Sequence, residues 1–221
     1  AAIIGPSIHD KLSATEVAAV RKAILEAARP HLMRLLGSGS GGLLVPGLGI
    51  NASISPIAAQ PGKIALVAQS ASVTTAIIGR AASTGVGFST IVHLGASLDI
   101  DLADVIDWLA DDPDTERILV QFDSVAVGRK FMSAARAAAR NKPVVAVRAG
   151  RLAAAPAGET PFSSNDVYDA ALRRAGWVSI PTLGNILEAL EAMARIRPMA
   201  GDRLAIVASG SGLASLAVEA L

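Results

Sequence analysis

Gln69, Ser70, Ala71 and Ser72 close the short apolar run Ile64–Ala68 and open a stretch with helical spacing. A strand that ends in small or hydroxyl-bearing residues and runs into a helix can hold an anion, because the first backbone N–H groups of a helix lack intrahelical acceptors. The same wording returns near the end of the chain, where LAIVA from Leu204 runs into Ser209, Gly210, Ser211 and Gly212 ahead of another helical stretch. Two helix N-termini behind such turns can face one anion from two sides. Every doubly wound domain also begins with a strand, a tight turn and a helix, so the repeat by itself leaves both readings open.

The other residues able to do chemistry are few. There are three histidines and no cysteine, which removes disulfides, thiolate metal sites and a cysteine nucleophile together. His9 falls in a polar loop and reads as solvated, and His31 follows Pro30 at a helix end, where a capping or surface role fits. His93 ends the run FSTIVHL, where it either lines a cleft or is a satisfied, half-buried ring. Asp99, Asp101, Asp104 and Asp107 gather in LDIDLADVIDW, with Asp104 and Asp107 on one helix face in a pattern that suits magnesium. A helix N-terminus also gathers acids for its own sake, and a solvated face is the simpler account.

The elements that must position these residues follow from periodicity. Hydrophobic residues make up 52% of the 221 positions while aromatics are only 3%, a supply of Ala, Val, Leu and Ile that suits a parallel sheet with closely docked helices. Lys plus Arg is 20 against 19 Asp plus Glu, without clustering, which argues against a nucleic-acid groove or a membrane-surface patch. From Lys63 onward the pattern predicts strands IALVA, FSTIVHL, RILVQF and PVVAVRA separated by helices over 72–82, 102–110 and 129–140. Strands separated by helix-length crossovers predict an α/β fold with a parallel sheet, whose ligands sit at the carboxyl ends of the strands. Before that lie a strand AAII, a helix begun by the capping box Ser13–Glu16, a strand RLLG and a Gly- and Pro-rich stretch, 37–62, read as a loop. After Gly150 come a Pro-rich stretch, a helix over 165–175, a short strand WVSI, a helix from Thr182 to about Arg195, and the strand-turn-helix segment from Arg203. No secretory leader or membrane span is read. With no initiator Met and no C-terminal cap after AVEAL, the sequence reads as part of a longer protein.

The order and wording of these segments resemble the NDP-forming acyl-CoA synthetases, the superfamily that includes the α subunit of succinyl-CoA synthetase. The resemblance rests on LGINASISP, PGKIALVAQSASV, TGVGFSTIVHLG, LADDPDTERILV, ARNKPVVAVRAGR, NDVYDAALRRAGW and GDRLAIVASGSG, which together cover nearly the whole chain. It implies three parts. Residues 1–59 would be the tail of a Rossmann-like CoA-binding domain with its linker, 60–155 a flavodoxin-like domain, and 156–221 the start of a second one. It implies a cytoplasmic protein that takes CoA or acyl-CoA, and ATP/ADP with Mg if the parent is a working ligase. An ATP-grasp or GNAT-type domain in the same or a partner chain is implied too, and a homo-oligomer is compatible. In that family a phosphohistidine carries the phosphoryl group between two helix N-termini, which the resemblance places at Gln69–Ser72 and Ser209–Gly212. It also places Gly37, Ser38, Gly39 and Ser40 at a CoA-contacting loop, although the family wording there is usually Pro-Asn-Cys.

The departures from the family pattern fall on its chemistry. The flanks of the histidine loop are present as Ala149-Gly150-Arg151 and Asp166-Val167-Tyr168-Asp169, but LAAAPAGETPFSSN between them holds no histidine. Asp123 stands where the family has a glutamate that supports that histidine, and Ala71 stands where it has glycine. On the resemblance, these departures and the wording QSASV predict a CoA- or acyl-CoA-binding module without the phosphohistidine, in the setting of a protein acetyltransferase with a GNAT-type domain. The alternatives are a fragment of a competent NDP-forming acyl-CoA ligase, and a plain flavodoxin-like domain for a phosphate ligand. The shortage of aromatics to stack a flavin counts against the last.

Overall fold

A computed structural model describes residues 1–5, 13–149, 164–195, 201 and 203–219. His9 and the segment between Ala149 and Ser164 lie outside the described residues. The chain opens with β1 (Ala2–Ile3), then α1 (Ala14–Ala28) and β2 (Leu35–Leu36), which pairs in parallel with β1. Ser13 caps α1 in the expected box, its hydroxyl and backbone both engaging Glu16.

The stretch read as a loop contains two strands. β3 (Gly42–Val45) and β4 (Ile50–Ser53) form an antiparallel hairpin around the turn Pro46–Gly49, and β3 also pairs antiparallel with the sheet. Glycine and proline at the turn masked the alternation of LLV and INAS. Gly49, at φ 68°, reverses the chain where a residue with a side chain is strained.

The main sheet continues with β5 (Pro61–Ala68), β6 (Phe88–His93), β7 (Arg117–Phe122), β8 (Val144–Arg148) and β9 (Val178–Ile180). The spatial order is β4-β3-β6-β5-β7-β8-β9, seven strands, parallel from β6 to β9. Helix α2 (Ala71–Thr84) carries the chain from β5 to β6, and α3 (Leu102–Asp111) carries it back across to β7. The strand order therefore reverses around β5, and the carboxyl ends of β5 and β7 flank the crevice where such sheets hold ligands. Helices α4 (Gly128–Asn141), α5 (Ser164–Ala175) and α6 (Leu183–Arg195) complete the layers.

Two apolar layers follow from the alternation of side chains along each strand. Ala65 and Val67 of β5 and Ile118 and Val120 of β7 face the helices α3 and α4, where Ile106, Leu109, Phe131 and Ala135 are buried. Ile64, Leu66 and Leu119 face the other way, against Ile77 and Ile78 of α2 and Ile186 and Leu190 of α6. The near-continuous apolar runs in the sequence are those of strands covered on both faces.

Of the residues that the sequence assigns to a second unit from 156 onward, those of β9 join the same sheet. β9 is hydrogen-bonded to β8, and Trp177 inserts beneath α4 with its indole N–H donating to the Ala135 carbonyl at 2.9 Å. Its ring meets Phe131 edge-on at 5.4 Å. The strand expected at Leu204–Ala208 is absent: residues 203–208 form no regular structure, and no described strand pairs with them. Leu204 is 56% and Val207 96% exposed, because an extended segment without a neighbour gains neither ladder hydrogen bonds nor burial. Helix α7 (Ser211–Glu219) does form behind Ser209 and Gly210, and Leu213, Leu216 and Val218 on it are exposed.

Replacing Trp177 by Phe, which removes one buried hydrogen bond and part of an aromatic contact, is expected to destabilise the fold by about 1–2 kcal/mol. In a Trp108→Phe background, Trp177 fluorescence and far-UV circular dichroism should report one coincident urea transition; two separated transitions would show that residues 164–195 unfold apart from the sheet.

Candidate functional site

The turn after β5 is held from beneath by a buried amide. Gln121 of β7 is 1% exposed, and its Oε1 accepts from the N–H groups of Ser70 at 2.9 Å and Gln69 at 3.2 Å. Its Nε2 donates to Asp123 Oδ1 at 2.8 Å. Gln69 answers across the crevice: its Oε1 accepts from the Asp123 N–H at 2.7 Å, and its Nε2 donates to the Ser124 carbonyl at 3.0 Å. Two glutamines thus fasten the end of β5 to the end of β7, and Asp123 is committed to that junction.

Helix α2 starts from this junction. Ser70 is its N-cap, with extended backbone and its hydroxyl accepting from the Val73 N–H at 3.5 Å. The N–H groups of Ala71 and Ser72 in the first turn have no intrahelical acceptor and carry the positive end of the helix dipole.

A cleft of about 520 Å³ lies over the carboxyl ends of these strands, lined by Ser38, Gly39, Gln69, Ser97, Asp101 and Asp123, with Arg21 at its rim. Its third wall is the loop 37–42. The Ser38 carbonyl accepts from Ala96, the Gly39 N–H donates to Gly5, and Ser40 bonds to Ile4, so the loop is gripped from both sides. Gly95, at φ 65°, lets the loop lie flat: a Cβ there would sit 2.6 Å from the Gly39 carbonyl carbon. Ser97 sits at φ 49°, uncommon for a residue with a side chain, and its buried hydroxyl has no partner. An unmet buried hydroxyl in a polar cleft, and open space around Gly39, fit a ligand with hydrogen-bonding groups.

Of the residues singled out by sequence, the cleft brings together Ser38, Gly39, Gln69, Asp101 and Asp123. Gly37 and Ser40 sit in the same loop behind its surface, with Ser40 1% exposed and donating to the His93 carbonyl. Ala71 lines a smaller cavity on the other side of the turn, of about 70 Å³. Ser209, Gly210, Ser211 and Gly212 are exposed and line neither of these cavities. His31 is exposed in the short 3-10 turn after α1.

Of the acids after β6, Asp107 is exposed, while Asp99, Asp101 and Asp104 are occupied in holding the fold. Asp99 takes Arg34 Nε at 2.9 Å and the Leu35 N–H at 2.8 Å; Asp101 and Asp104 form a capping box on α3 and share Lys130, at 3.0 and 2.7 Å. Burial would raise the Asp99 and Asp104 carboxyls, but hydrogen bonds from Arg34 and Lys130, and from backbone N–H groups, hold both below the ordinary carboxylate range. No cluster of three metal-ligating side chains occurs among the described residues.

Sequence reasoning passed over Arg21, Ser97 and Gln121. Gln121 left a signal, a lone polar residue inside the apolar run RILVQF, where a strand covered on both faces requires a partner for it. Ser97 left none, because its importance lies in a backbone conformation. Replacing Gln121 by Leu, which strands the Ser70 N–H while the Gln69 N–H keeps the backbone carbonyl of residue 121, is expected to destabilise the fold by roughly 1–3 kcal/mol in urea unfolding. A loss under 0.5 kcal/mol would show that this amide is not the tie between β5 and β7.

Residues 61–193 match the profile of the family described as succinyl-CoA ligase like flavodoxin domain. The chain is 31% identical over 206 residues to the α subunit of an ADP-forming acetate–CoA ligase I of Pyrococcus furiosus, a match over 91% of this chain and 45% of that one. It is 31% identical over 215 residues to an ADP-forming acetate–CoA ligase I of Archaeoglobus fulgidus, over 95% of this chain and 31% of that one. It therefore spans less than half the length of these relatives. Its fold is that of a dinucleotide-forming acetyl-coenzyme A synthetase 1 of Ca. Korarchaeum cryptofilum, solved with phosphate and ADP, with TM-score 0.84 at 24% identity over 98% of this chain and 48% of that one. The reversed strand order around β5, the crevice beside it and the match through both place the chain in the succinyl-CoA-ligase-like flavodoxin domain family.

Proposed function

We propose that this chain is the α-type, CoA-binding part of an ADP-forming acyl-CoA ligase, and that the cleft over β5 and β7 receives the acyl-bearing end of CoA. The observation that carries the reading is the cleft itself, walled by Ser38, Gly39, Gln69 and Ser97 at the strand reversal of a chain similar to acetate–CoA ligases along most of its length. Bound CoA would supply the thiol that carries the acyl group. The protein's part is to place it: the small residues of the 37–42 loop admit a chain of atoms close to backbone. The Ser97 hydroxyl is the hydrogen-bonding group of the cleft lining left without a partner.

The acid groups of the cleft shape what it accepts. Asp101 is paired with Lys130, whereas Asp123 keeps its negative charge although Gln121 donates to it, so the wall beside Asp123 suits an uncharged part of the ligand better than a phosphate. An α2 terminus that still offers N–H donors is suited to the phosphoryl group of such a reaction, although the methyl of Ala71 narrows the approach compared with glycine. The Asp99 and Asp104 carboxyls, depressed in the folded protein, contribute stability that is present above their unfolded pKa and lost as pH falls through the lower folded value.

Neither described histidine lines the cleft, and the sequence between Ala149 and Ser164 contains none. The proposed module therefore binds without itself carrying the phosphoryl group, and an ATP-grasp domain in the same or a partner chain would complete a ligase. The acetyltransferase setting expected from the sequence finds no support in the relatives above, whose names describe CoA ligases and synthetases.

Calorimetric titration of the intact protein with CoA and acetyl-CoA should give saturable heat, and replacing Gly39 by Val, which fills the open side of the cleft, should weaken it at least about tenfold. Absence of binding to the unsubstituted protein would overturn the reading. Incubation with γ-labelled ATP and magnesium should leave this chain unlabelled; an acid-labile label would show that it carries phosphohistidine after all.

A further inference from the structure

His93 stands at the last position of β6, 4% exposed, inside a parallel strand where every neighbouring position is filled by an apolar or small side chain. Its ring reaches the start of β3, where Nδ1 accepts from the Gly41 N–H. Its own carbonyl accepts from the Ser40 hydroxyl, which in turn accepts from the Gly42 N–H at 2.9 Å. Three consecutive residues of the loop are therefore fastened to one residue of the sheet. Gly41 has no side chain because the ring occupies that space: a Cβ there would lie 2.8 Å from Nδ1 and 3.0 Å from Cγ.

This arrangement works only with a neutral ring. Accepting at Nδ1 puts the proton on Nε2, which is buried with only a poorly aligned approach to the Gln69 carbonyl. A buried donor so poorly satisfied is costly, and an apolar side chain at the same strand position would avoid that cost. What the imidazole provides in return is the acceptor for Gly41. Burial pulls the ring below the ordinary histidine pKa, against a smaller opposing contribution from the Gln69 carbonyl. The elements packed around it bring no charge: Leu44 of β3, Ser53 of β4, Ser55 beyond it, Ile91 of β6, and Ala71, Thr74 and Thr75 of α2 contain no titratable side chain.

We propose that His93 is a positioning residue for the cleft: the neutral ring latches the 37–42 loop through Gly41, and a proton on Nδ1 releases it. The loop carries Ser38 and Gly39 into the cleft wall, so a released latch disorders the surface a ligand must meet. A doubly protonated ring presents N–H to the Gly41 N–H, and two donors facing each other in a buried space cannot persist. Ligand affinity then falls as pH drops below the ordinary histidine value of about 6.5, while the sheet, held by its two apolar layers, stays folded. This proposal rests on the reading of the cleft as a CoA site.

The test compares the intact protein with His93→Asn, whose Oδ1 can replace the Nδ1 acceptor without titrating, and with His93→Phe, which removes it. Calorimetry with CoA at pH 7.5 and 5.5 should show a loss of about tenfold at the lower pH for the unsubstituted protein, the equivalent of one hydrogen bond. His93→Asn should bind at both pH values as the unsubstituted protein does at pH 7.5, apart from any change common to all three from the ionisation of CoA itself; His93→Phe should bind weakly at both. The Gly41 amide resonance, followed by nuclear magnetic resonance, should shift with the titration of the His93 ring. Equal pH dependence in the unsubstituted protein and His93→Asn would overturn the latch. If CoA binds to no form of the protein, the cleft reading fails instead, and the Gly41 resonance alone decides the latch: no shift as the ring titrates overturns it.

Discussion

The side-chain amide of Gln121 is the interaction on which the site depends. A sheet whose strand order reverses at β5 opens a crevice there, because the chain leaves β5 and β7 in opposite directions. Left to themselves, the two departing turns would drift apart and each would bury unmet backbone N–H groups. Gln121 accepts from both residues of one turn and donates to the carboxylate of the other, and Gln69 repeats the exchange from the opposite side. An amide suits this place because it is donor and acceptor without charge, so it can be fully buried at little electrostatic cost.

From that junction the rest is reached through short, specific ties. The 37–42 loop is bonded to residues 4 and 5 on one side and to 96 on the other, which joins the first strands of the chain to the sheet at the cleft wall. Tyr168 of α5 packs on Phe122 at 5.8 Å and its hydroxyl accepts from the Val125 N–H at 3.2 Å, so the turn after β7 is also braced by the helix that supports β9. The crevice thus rests on hydrogen bonds from side-chain amides and on aliphatic packing, while ion pairs lie beside it around α3 and elsewhere, as between Arg80 and Glu191.

Most of the architecture was legible because its signals are local. Apolar runs of five or six residues alternating with helical stretches specify a parallel sheet, and the cap at Ser13 stands where the hydroxyl and carboxylate spacing put it. Three things were not legible, each for a physical reason. The β3–β4 hairpin hid among glycines and a proline that its turn requires, and only pairing with β6 makes it a strand pair. The segment LAIVA has strand composition, but a strand needs a neighbour, and none is present among the described residues. The site was half legible: Gln69 and Asp123 lie across one crevice, whereas the likeness of the turns 69–72 and 209–212 in sequence is not matched by their surroundings.

The hairpin has one more effect, on how this molecule can meet others. Strand β4 forms one lateral edge of the sheet, the kind of surface on which a foreign strand can add itself. Along it, the Asn51 side chain takes both the backbone N–H and the hydroxyl of Ser53, at 3.1 and 2.7 Å, and the Ser53 hydroxyl takes the Ser55 N–H at 3.2 Å. The outward N–H groups of Ser53 and Ser55 are thus engaged by the strand's own side chains, and the opposite edge, β9, is only three residues long. Both margins are therefore poor templates for lateral growth, one because its side chains fold back on its own backbone and the other because it is short.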